Sequence, residues 1–61
     1  MMRLREIRER EGLTQAELGQ RLNVGANTIC QWETGKRNPR AGMLIDLSKI
    51  LGCSVDELLK E

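Results

Sequence analysis

Apolar residues recur along this chain at intervals of three and four, the spacing that places them on one face of an α-helix. Glycine, asparagine or a cluster of turn-forming residues interrupts the pattern between successive segments. The spacing predicts five helices, over about residues 2–11, 14–22, 25–33, 41–51 and from residue 54 onwards. Since no run of β-branched residues predicts a strand, the predicted fold class is all-α.

One side of each predicted helix is expected to contribute to a small core, because a chain of 61 residues buries only about 60% of its unfolded surface. Leu13 and Val24 lie at corners and are expected to fold back onto this core, and Ala16 is placed beside it. The other side chains expected to face inward are Leu4, Ile7, Leu18, Leu22, Ile29, Trp32, Leu44, Leu47, Ile50, Leu51, Val55, Leu58 and Leu59.

The ends of the helices carry recognisable capping signals. Thr14 precedes Glu17 by three residues, and Ser54 precedes Glu57 by three, so both pairs are predicted to form capping boxes. Residues expected to end helices in the left-handed conformation are Gly12, Asn23 and Gly52.

Residues 13–33 form the most informative stretch of the sequence. A capped amphipathic helix runs into a short turn, and a second helix follows that is apolar at Ile29 and Trp32 and polar elsewhere. Two short helices joined in this way are typical of a helix-turn-helix. The second helix of such a pair has the size that fits a DNA major groove. In this chain the pattern predicts no other segment that would cover the polar face of that helix.

Net charge is only +1, but the charges are unevenly distributed. Residues 1–20 are neutral, residues 21–40 carry a net +3 and residues 41–61 a net −2. The positive excess therefore lies on and just after the predicted second helix of the pair, where a nucleic acid would meet it.

Other classes of protein find little support in the sequence. No apolar stretch approaches the roughly 18 residues of a membrane helix, and charges alternate from Arg3 to Glu11, unlike a signal peptide, so a cytoplasmic protein is expected. Cys30 and Cys53 lack the spacing of a metal site and are expected to be free thiols. Without histidine or a nucleophile paired with a base, the sequence predicts no metal site, no cofactor and no enzyme.

Taken together, these motifs resemble the bacterial and phage helix-turn-helix family typified by the Cro and C1 repressors, often called the XRE family. The resemblance implies one domain over residues 1–61, a compact five-helix bundle of the lambda-repressor-like type. It further implies a sequence-specific double-stranded DNA-binding transcriptional regulator, most simply a repressor. The residues that carry it are Arg8, the run from Gly12 to Leu18, Val24, Ile29, Trp32, Glu33, Gly35, Lys36, Arg37, Pro39 and the run from Leu51 to Leu58.

Three positions depart from the family's usual residues. Gly19 stands where the family usually has alanine, and Asn23 stands where it usually has glycine. Gly25 replaces the usual serine or threonine that caps the recognition helix. The fold is expected to survive all three, since each replacement retains the small size or backbone freedom needed at its position.

The resemblance also assigns roles to residues, with the recognition helix at about residues 25–33. Arg8 and Glu33 are expected to form a structural ion pair. Residues expected to read DNA bases are Ala26, Asn27, Thr28, Cys30 and Gln31. Residues expected to contact DNA phosphates are Gln15, Thr34, Lys36, Arg37, Asn38 and Arg40. For the base-reading and phosphate-contacting residues, the alternative is an ordinary solvated surface residue.

Members of the family generally bind near-palindromic operators as dimers, so a homodimer is expected, at least on DNA. The apolar side chains of the last helix are the natural candidates for its interface. The alternative function is a protein-binding helix-turn-helix module, such as an antitoxin or a co-regulator, with only weak affinity for DNA. Such a protein partner would be expected to meet the acidic last third of the chain.

Overall fold

The computed structural model describes residues 3–60 and contains, within them, five α-helices and no strand. These are α1 (Leu4–Arg10), α2 (Gln15–Leu22), α3 (Ala26–Thr34), α4 (Ala41–Leu51) and α5 (Val55–Leu59). The prediction of an all-α fold is confirmed. The predicted start of the first helix at Met2 lies outside the described residues, as do Met1 and Glu61 of the predicted domain. The predicted bounds of the fourth helix and the predicted end of the second are matched, and the other boundaries differ by one residue, largely because the capping residues precede the helices.

Local sequence signals account for the helix ends. The Thr14 hydroxyl accepts a hydrogen bond from the Glu17 amide at 3.0 Å, and the Glu17 carboxylate accepts one from the Thr14 amide at 2.8 Å. This capping box is therefore complete. The predicted second box is only half formed: Ser54 accepts from the Glu57 amide, but the Glu57 carboxylate lies 3.7 Å from Nη1 of Arg10. The Glu57 carboxylate therefore lies near a charged side chain of α1 instead of closing the capping box.

Eight apolar side chains form the core of the described residues, and all eight were predicted to face inward. They are Leu4, Ile7, Leu18, Ile29, Trp32, Leu47, Leu51 and Leu58. Several predicted core residues pack against this cluster while staying partly exposed. These are Leu13, Leu22, Val24, Leu44 and Ile50.

Two of the predicted inward positions are wrong. Leu59 is 50% exposed, because it lies about 100° around α5 from the fully buried Leu58. Ala16 is exposed, because it lies about 200° around α2 from Leu18, which points into the core. Val55, also predicted to be buried, is only half-buried.

The corner between α2 and α3 brings their backbones very close together. Asn23 adopts the left-handed conformation with φ of 60°, as predicted, and the Val24 amide donates to the Gly19 carbonyl at 2.8 Å. A Cβ atom added at Gly19 would lie 2.6 Å from the Val24 carbonyl oxygen, which is too close for any real contact. The glycine that departs from the family pattern is therefore matched to this particular turn.

Candidate nucleic-acid interface

Burial of Ile29 and Trp32 on one side of α3 directs the opposite side of the helix outward. Asn27 and Cys30 are exposed on this outward face, and Gln31 lies beside them, half-buried. All three belong to the predicted base-reading set. The outward face therefore presents amide and thiol groups to any ligand that lies along α3.

The other two predicted base-reading residues lie at the edges of this face. Ala26 and Thr28 are both half-buried. Gly25 caps the helix in an extended conformation without a side-chain hydrogen bond, so the backbone amides of the first turn have no capping side chain over them. Ala26 and Thr28 border the outward face rather than forming its centre.

The loop between α3 and α4 folds back beside the end of α3. Gly35 turns the chain with φ of 79°, and the Arg37 amide donates to the Gln31 carbonyl at 3.1 Å. The side chains exposed on this loop include four of the predicted phosphate ligands. These are Lys36, Arg37, Asn38 and Arg40.

A groove of about 540 Å³ is lined by α3, the loop and the start of α4. Trp32, Pro39 and Met43 contribute apolar surface to it, and Arg37 and Arg40 contribute positive charge. Thr28 and Gln31 line its α3 side, so the groove joins the predicted base-reading residues to the predicted phosphate ligands. The part played here by Met43 was not anticipated, because its partly buried position at the start of α4 is a tertiary feature.

Thr34 is placed less favourably for its predicted role. Its hydroxyl donates within α3, to the Cys30 carbonyl at 3.0 Å and the Gln31 carbonyl at 3.3 Å. A phosphate oxygen only accepts hydrogen bonds, so a contact with Thr34 requires the hydroxyl to give up these intrahelical partners.

The structure brings Arg8 and Glu33 together in a two-point ion pair. Arg8 Nε donates to Glu33 Oε2 at 2.5 Å, and Arg8 Nη2 donates to Glu33 Oε1 at 3.2 Å. Only 9% of the Arg8 side chain and 4% of the Glu33 side chain are exposed. The hydrogen bond to Glu33 raises the pKa of Arg8, against the opposing effect of burial. The pair ties α1 to the C-terminal part of α3.

Gln15 joins this pair through a contact that the sequence does not reveal. Its side-chain Nε2 donates to Glu33 Oε1 at 3.0 Å, across 18 residues of chain. Gln15 is the first residue of α2, where backbone amides lack partners inside the helix. The predicted phosphate ligand on α2 is therefore linked directly to the ion pair that holds α3.

The cysteines and the remaining surfaces add little chemistry. Cys30 and Cys53 are free thiols, and burial raises the pKa of Cys53. Residues 3–60 contain no group of three side chains suited to hold a metal ion. Across the same residues, no helix combines the length and the apolar character needed to cross a membrane.

Comparison with known proteins places this geometry in a defined group. A family model described as helix-turn-helix matches residues 4–58. The transcriptional regulator ImmR of Bacillus subtilis is 39% identical over 57 residues, which cover 93% of this chain and 45% of ImmR. The transcriptional activator BcrR of Enterococcus faecalis is 37% identical over 57 residues, which cover 93% of this chain and 28% of BcrR. The chain thus spans less than half the length of these curated relatives.

A solved structure agrees in both sequence and fold. The crystal structure of the P22 c2 repressor in complex with a synthetic operator matches with a TM-score of 0.88 and 41% identity. The match covers 95% of this chain and 88% of that chain, and the repressor comes from Salmonella phage P22. Since the family model spans nearly all of the described residues and the fold is shared, the chain belongs to the Cro/C1-type (XRE) helix-turn-helix family.

Proposed function

We propose that this domain binds double-stranded DNA at specific sequences and regulates transcription, acting as a repressor. The observation that carries the proposal is the outward polar face of α3, bordered by a basic loop, on a fold that matches an operator-bound repressor. An α-helix of this kind fits the major groove, where side chains can distinguish all four base pairs. A regulator of this kind acts in the cytoplasm, where bacterial and phage DNA lie.

Each part of the surface has a distinct task in this proposal. Asn27 and Gln31 carry side-chain amides, which can pair with adenine through two hydrogen bonds. Ala26 offers a methyl group to thymine, while Thr28 and Cys30 lie alongside these contacts. The phosphate ligands hold the domain in register and supply affinity that does not depend on sequence.

We further propose that the domain binds a near-palindromic operator as a homodimer, at least on DNA. Dimers of this class read two half-sites about one helical turn, or roughly 34 Å, apart. Ile45 on α4 and Leu59 on α5 are each 50% exposed and are the large apolar side chains that remain uncovered among the described residues. They are the candidates for contact between the two copies.

Selection from a random duplex library at two salt concentrations tests DNA binding. We expect enrichment of a near-palindrome, and we expect Asn27→Ala and Gln31→Ala to change the preferred bases. Gln20→Ala is the matched control, because Gln20 is exposed on α2 and is not assigned to DNA. Enrichment of no sequence, with binding lost at moderate salt, would overturn the proposal and favour the alternative of a protein-binding module.

A reporter assay tests the direction of regulation. The selected site is placed over a promoter, and the domain is expected to lower transcription by excluding the polymerase. A site placed upstream of the promoter provides the comparison. Increased transcription from either arrangement would contradict the assignment as a repressor and would match instead the activity named for BcrR.

A further inference from the structure

We propose that Glu33 is a positioning residue for DNA binding, which orients the Gln15 amide toward a phosphate while Arg8 balances its charge. This inference rests on the proposed function, since it concerns one contact of the same DNA interface. It adds a role for the Arg8–Glu33 ion pair beyond the holding together of α1 and α3.

The geometry of the Glu33 carboxylate supports this role. Its Oε2 atom accepts from Arg8 Nε at 2.5 Å. Its Oε1 atom accepts from two donors, Arg8 Nη2 at 3.2 Å and Gln15 Nε2 at 3.0 Å. One carboxylate oxygen is therefore shared between the ion pair and the first residue of α2.

The chemistry of the two side chains fixes the orientation of the Gln15 amide. A carboxylate only accepts hydrogen bonds, so it selects the NH₂ end of the amide and rejects the oxygen end. With one N–H held by Glu33, the second N–H of the same nitrogen remains for another acceptor. The reversed amide would instead present its oxygen toward Glu33, and two acceptors would face each other.

A DNA phosphate also accepts hydrogen bonds, and the N-terminus of α2 offers it backbone amides as well. The free N–H of Gln15 is therefore already oriented by Glu33 before a phosphate binds. Because this side chain is ordered in advance, less conformational entropy is lost on binding. Arg8 is needed in this arrangement, because an unpaired Glu33 carboxylate close to a phosphate would repel it. Buried next to Glu33, Arg8 removes that repulsion without contacting DNA.

A double-mutant cycle on DNA affinity provides the main test, with a duplex obtained by selection and fluorescence anisotropy at one salt concentration. A hydrogen bond to a charged group is strong enough that Gln15→Ala should weaken binding by about tenfold or more in the wild-type background. In the Glu33→Gln background, the new amide can either accept or donate a hydrogen bond, so it no longer fixes the orientation of Gln15. Gln15→Ala should therefore weaken binding by less than about threefold in this background. Circular dichroism checks that each variant is folded under the assay conditions.

Arg37→Ala is the matched control in the same two backgrounds. Arg37 lies on the α3–α4 loop and takes no part in the hydrogen bonds of Glu33. Its effect on affinity should therefore be equal in both backgrounds. An equal effect of Gln15→Ala in both backgrounds would overturn the positioning role while leaving the phosphate contact in place.

A measurement on the wild-type protein keeps the inference testable if Glu33→Gln fails to fold. NMR relaxation of the side-chain NH₂ groups should show that Gln15 is restricted on the picosecond to nanosecond timescale. Gln20, exposed on the same helix, is the internal comparison and should be mobile. Equal mobility of the two side chains would overturn the orienting role of Glu33.

The outcomes separate this inference from the proposed function. If Gln15→Ala leaves the affinity for a selected operator unchanged, the phosphate contact and its positioning both fail, whereas sequence-specific DNA binding stands. If the wild-type protein selects no operator at all, the proposed function fails first, and the role of Glu33 in DNA binding fails with it.

Discussion

At the scale of single residues, Arg8 is the most unusual side chain of the protein. Of the ten lysine and arginine residues, all of which lie within residues 3–60, it alone is buried. Its three nitrogen groups donate to Glu33 and to the Leu13 carbonyl, and the described residues contain no buried side-chain polar atom without a partner. Removing one member of such a pair strands the other as an uncompensated charge, so the loss exceeds that of a surface ion pair.

Arg8→Ala is therefore expected to lower stability by about 3 kcal/mol or more and the melting temperature by about 10 °C or more. Thermal denaturation followed by circular dichroism measures the effect. Arg5→Ala is the matched control on the same helix, because Arg5 lies in an exposed pair, 3.5 Å from Glu9. The control should change stability by less than about 1 kcal/mol, and equal losses in the two variants would argue against a structural ion pair.

At the scale of helices, the caps and corners determine how the segments meet. Thr14 and Glu17 form two reciprocal hydrogen bonds at the start of α2. At the start of α5, by contrast, the Glu57 carboxylate lies near Arg10 and does not close the capping box. The corner after α2 depends on Gly19, whose missing side chain allows the Val24 carbonyl to approach. These two devices, a cap and a close approach, hold the helix-turn-helix in shape.

The capping box predicts a specific dependence of stability on pH. The pKa of Glu17 is lowered chiefly by the hydrogen bond from the Thr14 backbone amide. The Thr14 side chain lowers this pKa by a smaller amount. A carboxyl group whose folded-state pKa is depressed stabilises the fold above its unfolded pKa of about 4.3, and this contribution is lost as pH falls through the folded pKa. Urea denaturation between pH 7 and pH 3 should therefore show a shallower loss of stability for Glu17→Gln than for the wild type.

Thr14→Ala is the companion variant for the same box. It removes the cap and should lower stability at pH 7 by about 1 kcal/mol. Its loss of stability with acid should also be shallower than that of the wild type, because the Thr14 hydroxyl no longer favours ionised Glu17. An acid transition of wild-type steepness in both variants would show that this box does not contribute to the pH dependence.

The corner between α2 and α3 gives a second test at this scale. Gly19→Ala should destabilise the domain by about 1–3 kcal/mol, because its methyl group would collide with backbone at 2.6 Å. Gly42→Ala is the matched control in α4, where an added Cβ meets nothing within 4 Å. The control should stabilise the domain by up to about 1 kcal/mol through helix propensity, so denaturant midpoints that shift the same way in both variants would refute the steric argument.

At the scale of the whole molecule, the distribution of charge along the chain is more informative than the net charge. The net charge is +1, yet residues 21–40 carry +3, and two of the loop cations, Arg37 and Arg40, line the groove along α3. Phosphate contacts release counterions, so they appear in the salt dependence of binding rather than in sequence preference. The dependence of affinity on salt therefore reports on this surface as a unit.

The triple variant Lys36→Ala, Arg37→Ala and Arg40→Ala should weaken binding to every duplex. If each cation contacts one phosphate, the slope of log affinity against log salt should fall by about 0.9 per contact, or roughly three units in all. The matched control removes three exposed cations elsewhere, Arg5, Lys49 and Lys60, with the same change in net charge. A slope that falls equally in both triple variants would mean that net charge, not the loop, sets the salt dependence.

The sequence by itself determined the local features of this protein. Helical spacing, the Thr14 cap and the left-handed Asn23 are governed by neighbours within about four residues, and each was predictable for that reason. The family was also predictable, since its motifs lie along nearly the whole chain.

Tertiary structure decided what depends on residues far apart in the chain. The exposure of Leu59, the diversion of Glu57 to Arg10 and the bond from Gln15 to Glu33 all arise from the way the helices pack. Periodicity identifies the apolar face of a helix, but the partner and depth of each side chain depend on crossing angles and close approaches. Those are set by the assembled core, so no local pattern in the sequence specifies them.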